Sequence, residues 1–155
     1  MSSTVNFSIA ALDDLPQVVE MKLAMFGEAG HAALLAPSSA STILADYQDL
    51  YSRGLARHFL AKAPEGVVAS AGAFLKSDLP FRYFDPPQYG FIGDVYTYPD
   101  FRSRGFAKAL NQEAVRWLRE QGVTMIRLLA SDAGRSLYVK LGFQPSDEMV
   151  LTYAF

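Results

Sequence analysis

The sequence contains no cysteine and no long apolar run. Without a cysteine among its 155 residues, the chain has no disulfide, no thiol nucleophile and no cysteine-ligated metal site. No apolar stretch approaches the roughly 20 residues that span a bilayer. The first residues, Met-Ser-Ser-Thr, show no basic region leading into an apolar run. We therefore expect a cytoplasmic protein without a membrane partner.

Positive charge is also scarce. The formal net charge is -2, whereas a nucleic-acid-binding protein normally carries a basic excess for its phosphate contacts. A local basic patch remains at Arg102, Arg104 and Lys108, and its size suits a phosphorylated cofactor better than a duplex. His31 and His58 stand at no spacing typical of a metal site or a triad. We expect no metal, with His31 in a loop and His58 at a strand edge.

Apolar residues are abundant enough for one core. Hydrophobic residues make up 50% of the chain, and no linker or repeat divides it, so we predict a single domain over residues 1–155. The apolar spacing predicts strands at 5–10, 58–63, 67–76, 89–98, 123–130 and 149–155, and helices at 12–26, 41–56, 103–121 and 133–141. This order favours a mixed α/β fold in which one sheet carries helices on its faces.

Glycines mark two special places in this pattern. Gly90 and Gly93 lie inside the strand predicted at 89–98, where they indicate a bulge or a close approach of another backbone. Gly142 follows the last predicted helix, so it is expected to take a left-handed cap with Phe143 folded back onto the helix.

The segment 94–108 (DVYTYPDFRSRGFAK) carries the clearest chemical signal. It runs from a strand through a turn into a helix, whose first amides and dipole favour an anion. Gly105 lets a ligand come close to the backbone because it has no side chain. Arg102, Arg104 and Lys108 can add full charges. Neither a P-loop nor a dinucleotide fingerprint is present, and a pyrophosphate is the ligand that these features suit.

Here the sequence resembles the GNAT superfamily of acetyl-CoA-dependent N-acetyltransferases. Arg102-x-x-Gly105-x-Ala107 matches the family signature Q/R-x-x-G-x-G/A. Residues 94–102 look like the family's fourth strand with its bulge, and residues 128–143 (LLASDAGRSLYVKLGF) look like its fifth strand and following helix. The resemblance implies a central, mostly antiparallel sheet of six to seven strands with about four helices on its faces.

The resemblance also implies roles for individual residues. Acetyl-CoA would be the acetyl donor, with its pantetheine arm paired to the backbone of Val95, Tyr96 and Thr97. Its pyrophosphate would be held by the amides of Arg102, Ser103, Arg104, Gly105, Phe106, Ala107 and Lys108. Ser131 stands where many relatives have an Asn near the cofactor, and Tyr138 stands where relatives place the tyrosine that protonates the departing thiolate.

The acceptor amine must lose a proton before it attacks, because alkyl amines have a pKa of about 10 in water. Asp94 is the first candidate base and Glu28 the second. The expected acceptor pocket is walled by residues 27–40, Tyr47, Tyr51 and the loop 77–88, with Glu28 and Tyr83 as substrate-binding residues. Acidic and aromatic walls favour a cationic or aromatic amine.

The sequence thus predicts an N-acetyltransferase that acts on a primary amine of a small molecule or amino acid-like acceptor. Three alternatives stay open: a protein or peptide acceptor, a module that binds acyl-CoA without turnover, and a structural protein that shares only the fold. The apolar tail 149–155 (MVLTYAF) is expected either to complete the sheet or to pair two subunits in a homodimer.

Overall fold

The computed structural model describes residues 4–78 and 87–153. Its strands are β1 (Asn6–Ile9), β2 (Ala56–Ala63), β3 (Gly66–Ser77), β4 (Gln88–Thr97) and β5 (Ile126–Leu128). Its helices are α1 (Leu15–Glu28), α2 (Ser39–Ser52), α3 (Phe106–Glu120) and α4 (Arg135–Lys140). Short 3-10 turns at Leu12–Asp14, Ala32–Leu34 and Pro99–Phe101 complete the order. Within the described ranges, no helix is long and apolar enough to cross a membrane.

The strands form one sheet in the order β1-β2-β3-β4-β5. The first four strands pair antiparallel, and β2 and β3 are joined by the short turn that such a pair allows. β5 pairs parallel to β4, and this pairing involves only Gly90, Phe91 and Ile92 of β4. The helix α3 makes the crossover that a parallel pair requires. β4 therefore lies between an antiparallel and a parallel neighbour, and within residues 4–78 and 87–153 its second half has no partner strand on the β5 side.

Two apolar clusters pack on opposite faces of the sheet. One contains Leu110, Ala114, Trp117 and Leu118 of α3 with Ile92 of β4. The other joins apolar residues of α1 and α2 to the opposite face of the sheet: Leu15, Val18, Val19, Met21, Tyr47, Leu60 and Phe74. A Cβ atom at Gly90 would lie 2.9 Å from a methyl group of Leu118. Gly90 thus admits α3 close to β4, although the approaching atoms are side chains rather than a backbone.

The end of α4 confirms the predicted cap. Gly142 is left-handed, with φ of 98°, and the Phe143 amide donates to the Tyr138 carbonyl at 3.0 Å. The Phe143 ring also contacts the Tyr138 ring edge-on, with 5.9 Å between centroids. This arrangement is a Schellman motif with its accompanying contact, and it fixes Tyr138 within the last turn of the helix.

Two sequence-based expectations about strands are wrong. Residues 149–153 form no strand, and their apolar side chains are exposed; residues 154 and 155 lie outside the described part. The sheet accordingly has five strands within the described residues, fewer than the six to seven expected. The apolar run made the tail resemble a strand, but a strand also needs a partner strand. The sheet's mixed architecture with four helices agrees with the predicted fold class.

Candidate active site

The candidate site is built around a bulge in β4. Ser70 of β3 is paired with Tyr96 and Gly72 with Gly93, so two residues of β4 stand opposite one of β3. Asp94 has φ of 54°, a left-handed conformation that is uncommon for a residue other than glycine. The extra residue reverses the alternation of side chains. Before it, Ile92 faces the α3 cluster, and after it Val95 does so while Tyr96 turns toward α1 and α2.

Side-chain hydrogen bonds hold Asp94 from three elements. Lys22 of α1 donates to Oδ1 at 2.6 Å, His58 of β2 donates to Oδ2 at 2.8 Å, and the Tyr47 hydroxyl of α2 also donates to Oδ2. The side chain of Asp94 is only 2% exposed. The Ser70 hydroxyl donates to the backbone carbonyl of Asp94 at 2.7 Å. Both the carboxylate and the backbone of the bulge are therefore fixed.

The charges around Asp94 determine its ionisation. Burial opposes ionisation, but the hydrogen bond and charge of His58, together with those of Lys22, outweigh it and hold the pKa of the Asp94 carboxyl well below its usual range. Burial and the neighbouring Asp94 carboxylate raise the pKa of the Tyr47 hydroxyl. At neutral pH, Asp94 is a carboxylate and Tyr47 a neutral donor to it.

A second tyrosine contacts the other side of the His58 ring. The Tyr51 hydroxyl accepts a hydrogen bond from the backbone N–H of His58 at 2.9 Å, and it lies 2.7 Å from His58 Nδ1. Because the Asp94 carboxylate can only accept hydrogen bonds, His58 Nε2 carries a proton and donates it to Asp94. His58 is fully buried in the second strand of the sheet, so the expectation of a strand-edge residue is wrong.

Beyond the bulge, β4 offers an open edge. β5 pairs with β4 up to Ile92, but β4 continues to Thr97. In the described part of the chain, no strand pairs with this second half on the β5 side. Val95, Tyr96 and Thr97, which were predicted to meet the pantetheine arm, lie there and are partly exposed. An open edge of this kind can pair with an extended ligand as with an added strand.

The loop after β4 leads into the exposed start of α3. Ser103 has φ of 63° and Gly105 has φ of 82°. A Cβ atom at Gly105 would meet nothing within 4 Å, so this backbone faces open space. The first regular helical bond is donated by Ala109 to Gly105, which leaves the amides of Phe106, Ala107 and Lys108 without helical acceptors. Amides beside open space at a helix start are groups that can bind an anion; we call residues 102–108 the cradle.

The side chain of Arg102 turns away from this cradle. Its Nη2 donates to Glu28 Oε2 at 2.8 Å, and its Nε donates to the Thr97 carbonyl at 2.8 Å. The guanidinium lies 5.6 Å from the centre of the Tyr96 ring, whose hydroxyl also donates to Glu28 Oε2 at 2.8 Å. Hydrogen bonds from Arg102 and Tyr96 lower the pKa of the Glu28 carboxyl. Glu28, the last residue of α1, is thereby joined to the β4–α3 connection.

Tyr138 and Ser131 lie together at α4. The backbone N–H of Gly134 donates a hydrogen bond to Ser131 Oγ, with 3.1 Å between the nitrogen and the oxygen. A Cβ atom at Gly134 would lie 3.2 Å from both Ser131 Oγ and the Tyr138 ring. Tyr138 is 8% exposed, and burial raises the pKa of its phenol. The hydroxyl forms no hydrogen bond with the side chains or backbone of the described residues.

Some predicted site residues fall outside the described part of the chain, and one residue of the Asp94 network was not predicted. Tyr83 and most of the loop 77–88 fall outside the described residues. The hydroxyls of Tyr47 and Tyr51, which were expected to wall the acceptor pocket, form hydrogen bonds with Asp94 and His58. Lys22 was not predicted as a site residue, since a lysine on an amphipathic helix has no local signature of an ion pair. Among the described residues, no group of three or more metal-ligating side chains occurs.

The family model of the acetyltransferase (GNAT) family matches residues 28–143. The chain belongs to this family. The match includes the bulge, the cradle and α4. A search of curated proteins gives no match. Enzymes of this family take the acetyl group from acetyl-CoA, so the predicted donor is confirmed at the level of the family.

Solved structures share the whole fold. An acetyltransferase of Clostridium acetobutylicum solved with acetyl-CoA has 22% identity and a TM-score of 0.86, covering 97% of this chain and 96% of that chain. A GCN5-related N-acetyltransferase of Ralstonia eutropha has 25% identity and a TM-score of 0.86, covering 97% and 99%. An aminoglycoside N-acetyltransferase in complex with CoA has 18% identity and a TM-score of 0.75, covering 99% and 97%.

Proposed function

We propose that this protein transfers an acetyl group from acetyl-CoA to a primary amine of a small molecule or amino acid-like acceptor. The observation that carries the proposal is the continuity of two binding features. The β4 edge opens after Ile92, and the same strand leads through the turn at Pro99–Phe101 into the cradle before α3. An extended arm that ends in a pyrophosphate suits both features at once.

Acetyl-CoA supplies the acetyl group as an activated thioester. We assign its pantetheine arm to the backbone of Val95, Tyr96 and Thr97, and its pyrophosphate to the cradle amides of residues 102–108. Arg104 and Lys108 are exposed beside the cradle and add positive charge there. The Tyr96 amide is our candidate donor to the thioester oxygen, where negative charge develops during acyl transfer. Ser131, near Tyr138, is proposed as a further contact.

Tyr138 is proposed as the general acid that protonates the departing thiolate. Its raised pKa keeps the phenol protonated at neutral pH, which a proton donor needs. Its hydroxyl is not engaged by the described protein groups, so the proton is free for transfer. The Schellman motif at Gly142 holds the residue in position.

The base is the open part of this proposal. Asp94 was the first candidate, but its lone pairs already accept three hydrogen bonds and its pKa is lowered. Both features disfavour removal of a proton from an amine. We therefore propose that Asp94 stabilises the bulge. Glu28, which is exposed at the end of α1, is proposed to bind the acceptor.

An isosteric substitution tests this assignment of Asp94. If Asp94 is the base, Asp94→Asn should remove the acidic limb of the pH–rate profile, because that limb reports protonation of the base. If Asp94 holds the bulge, the variant keeps the pH dependence of kcat and loses stability and acetyl-CoA affinity. A changed pH profile with unchanged acetyl-CoA affinity would restore Asp94 as the base.

The proposed class of acceptor is supported by the structural neighbours. Two of them are described as aminoglycoside acetyltransferases and another as glucosamine-6-phosphate N-acetyltransferase. All of these names refer to amines on small molecules. A small-molecule amine is accordingly our first choice for this chain, ahead of a protein N-terminus or a lysine side chain.

The deciding experiment follows the release of CoA. Purified protein is incubated with acetyl-CoA and a panel of aminoglycosides, amino sugars, polyamines, amino acids and peptides. Turnover with a small amine supports the proposal, and turnover with peptides alone favours a protein acceptor. Binding of acetyl-CoA without turnover on any amine favours a binding module. Absence of acetyl-CoA binding contradicts the proposal altogether.

We further propose a single domain that functions as a homodimer in the cytoplasm, without nucleic acid. The exposed apolar tail is the reason for the dimer: Met149, Val150, Leu151 and Tyr153 are at least 78% exposed. Such a patch is unfavourable on an isolated chain. Sedimentation of the full chain, compared with a chain truncated before residue 149, tests the assignment.

A further inference from the structure

The region around Glu28 has the composition of a cation-binding site. One carboxylate oxygen of Glu28, the carbonyl of Thr97 and the face of the Tyr96 ring surround a single positively charged group. Carboxylate, carbonyl and aromatic face are the three partners that an ammonium or guanidinium group prefers. In the structure the positively charged group is the side chain of Arg102 itself. We call the three groups that surround it the Arg102 seat.

The occupant is a residue that the cofactor should attract. Arg102 begins the cradle, and its backbone leads directly to Ser103 and Gly105. A pyrophosphate in the cradle carries more negative charge than the single Glu28 carboxylate. A guanidinium also binds phosphate oxygens through two parallel hydrogen bonds. The cofactor and Glu28 therefore compete for one side chain.

The existing contact is weak enough for this competition to have an effect. The side chains of Arg102 and Glu28 are 42% and 46% exposed, and ion pairs with such exposure change an equilibrium constant by only about twofold to fivefold. Movement of Arg102 leaves Glu28 and the Tyr96 ring without their cation, while the Tyr96 hydroxyl still orients the carboxylate.

We propose that the Arg102 seat is the binding site for the cationic group of the acceptor, and that binding of acetyl-CoA vacates it by drawing Arg102 to the pyrophosphate. The inference rests on the proposed acetyl transfer and specifies its substrate class as amines that are positively charged when they bind. It also couples the two ligands, since each is bound more tightly when the other has displaced or replaced Arg102.

The first test measures CoA binding and does not depend on turnover. Affinity for CoA is measured by calorimetry on the full chain, for wild type and for Glu28→Gln, which keeps the shape of the side chain and removes its charge. The release of Arg102 from Glu28 should tighten CoA binding about twofold to fivefold. In an Arg102→Gln background, the same Glu28→Gln substitution should change the CoA affinity by less than about 1.5-fold, because the competition no longer exists.

A charge-matched control separates this effect from net charge. Glu113 lies on the exposed side of α3 and pairs with Arg116. Glu113→Gln makes the same change in net charge as Glu28→Gln, and it should leave CoA affinity within experimental error. Equal tightening in both variants would overturn the inference, as would unchanged or weakened CoA binding in Glu28→Gln.

The seat itself is probed with 1,4-diaminobutane. The diamine should bind the CoA complex of wild type at least about tenfold more tightly than the CoA complex of Glu28→Gln. It should also bind the CoA complex more tightly than the free wild-type protein. Absence of these differences overturns the assignment of the seat. Failure of the proposed function is distinguishable, because there wild type itself does not bind CoA or does not turn over acetyl-CoA.

Discussion

His58 Nε2 lies 2.8 Å from Asp94 Oδ2, with both side chains almost completely buried. The two residues are 36 positions apart and lie on β2 and β4. The strand between them makes room: a Cβ atom at Gly72 of β3 would lie 2.8 Å from His58 Nε2. The contact thus passes across a strand that has a glycine at the crossing point.

We expect the hydrogen bond from His58 to Asp94 to contribute to the stability of the fold. His58→Leu removes a buried partner of a carboxylate and should lower the free energy of unfolding by about 3 kcal/mol. His58→Gln keeps a side-chain N–H that can still reach the carboxylate, so it should cost about 1–2 kcal/mol. Urea unfolding at pH 7 measures both variants. Equal losses would show that volume, rather than the hydrogen bond, determines the effect.

The ionisation of Asp94 should make stability depend on acid pH. The folded pKa is depressed below the unfolded value of about 3.9. The stabilisation is therefore complete above about pH 5 and is lost as pH falls below about 4 toward the folded pKa. Wild type should lose stability steeply in this window, and Asp94→Asn should do so less steeply. Urea midpoints at pH 6 to 2 measure the slopes.

Asp49 supplies the control for this pH series. It is an exposed carboxylate paired with Arg53 at 3.3 Å, and exposed pairs contribute little to stability. Asp49→Asn should retain the wild-type slope below pH 4. If Asp94→Asn also retains that slope, the Asp94 network does not account for the acid sensitivity.

The sequence predicts the donor half of this site because its signals are local. The signature Arg102–Ala107 and the cap formed by Gly142, Phe143 and Tyr138 each span only about six residues of sequence. Backbone conformation and capping are decided by neighbours in sequence, so a short motif carries them. The three central strands were predicted to within a few residues for the same reason.

The Asp94 network could not be predicted in this way. Lys22 and Asp94 are separated by 72 positions, and Tyr47 and Asp94 by 47. Their contact depends on the packing of α1 and α2 over the sheet, which no short pattern encodes. His58 was misplaced at a strand edge because a lone polar residue in a strand is usually exposed. The strand predicted in the apolar tail is absent from residues 149–153 for a related reason, since an apolar run does not reveal whether a partner strand exists.

Tyr138→Phe should separate catalysis from cofactor binding. The substitution removes one hydroxyl and keeps the ring that contacts Phe143, so acetyl-CoA affinity should stay within about twofold. Loss of a general acid should lower kcat by roughly 10²-fold or more. Single-turnover rates and calorimetry provide the two values. Equal losses in both, or none in either, would remove Tyr138 from the mechanism.

Substitution by alanine should destabilise the protein more at Gly72 than at Gly105. Gly72→Ala places a Cβ atom 2.8 Å from His58 Nε2 and 3.0 Å from the Gly93 carbonyl oxygen. Because the backbone on the other side cannot yield easily, we expect a loss of about 2–3 kcal/mol in the free energy of unfolding. Gly105→Ala meets no atom within 4 Å but is left-handed, with φ of 82°. Its cost should be about 1–2 kcal/mol.

For acetyl-CoA affinity, the order of the two variants should be reversed: Gly105→Ala should lose more than Gly72→Ala. The Cβ atom of Gly105→Ala projects into the open space before α3, where the backbone must approach the pyrophosphate closely. We expect the affinity of this variant for acetyl-CoA to fall by at least about tenfold, whereas Gly72→Ala, if folded, should lose less. Thermal unfolding and calorimetry on the two proteins measure stability and binding separately. If Gly105→Ala binds as tightly as wild type, the cradle before α3 is not where the pyrophosphate is held.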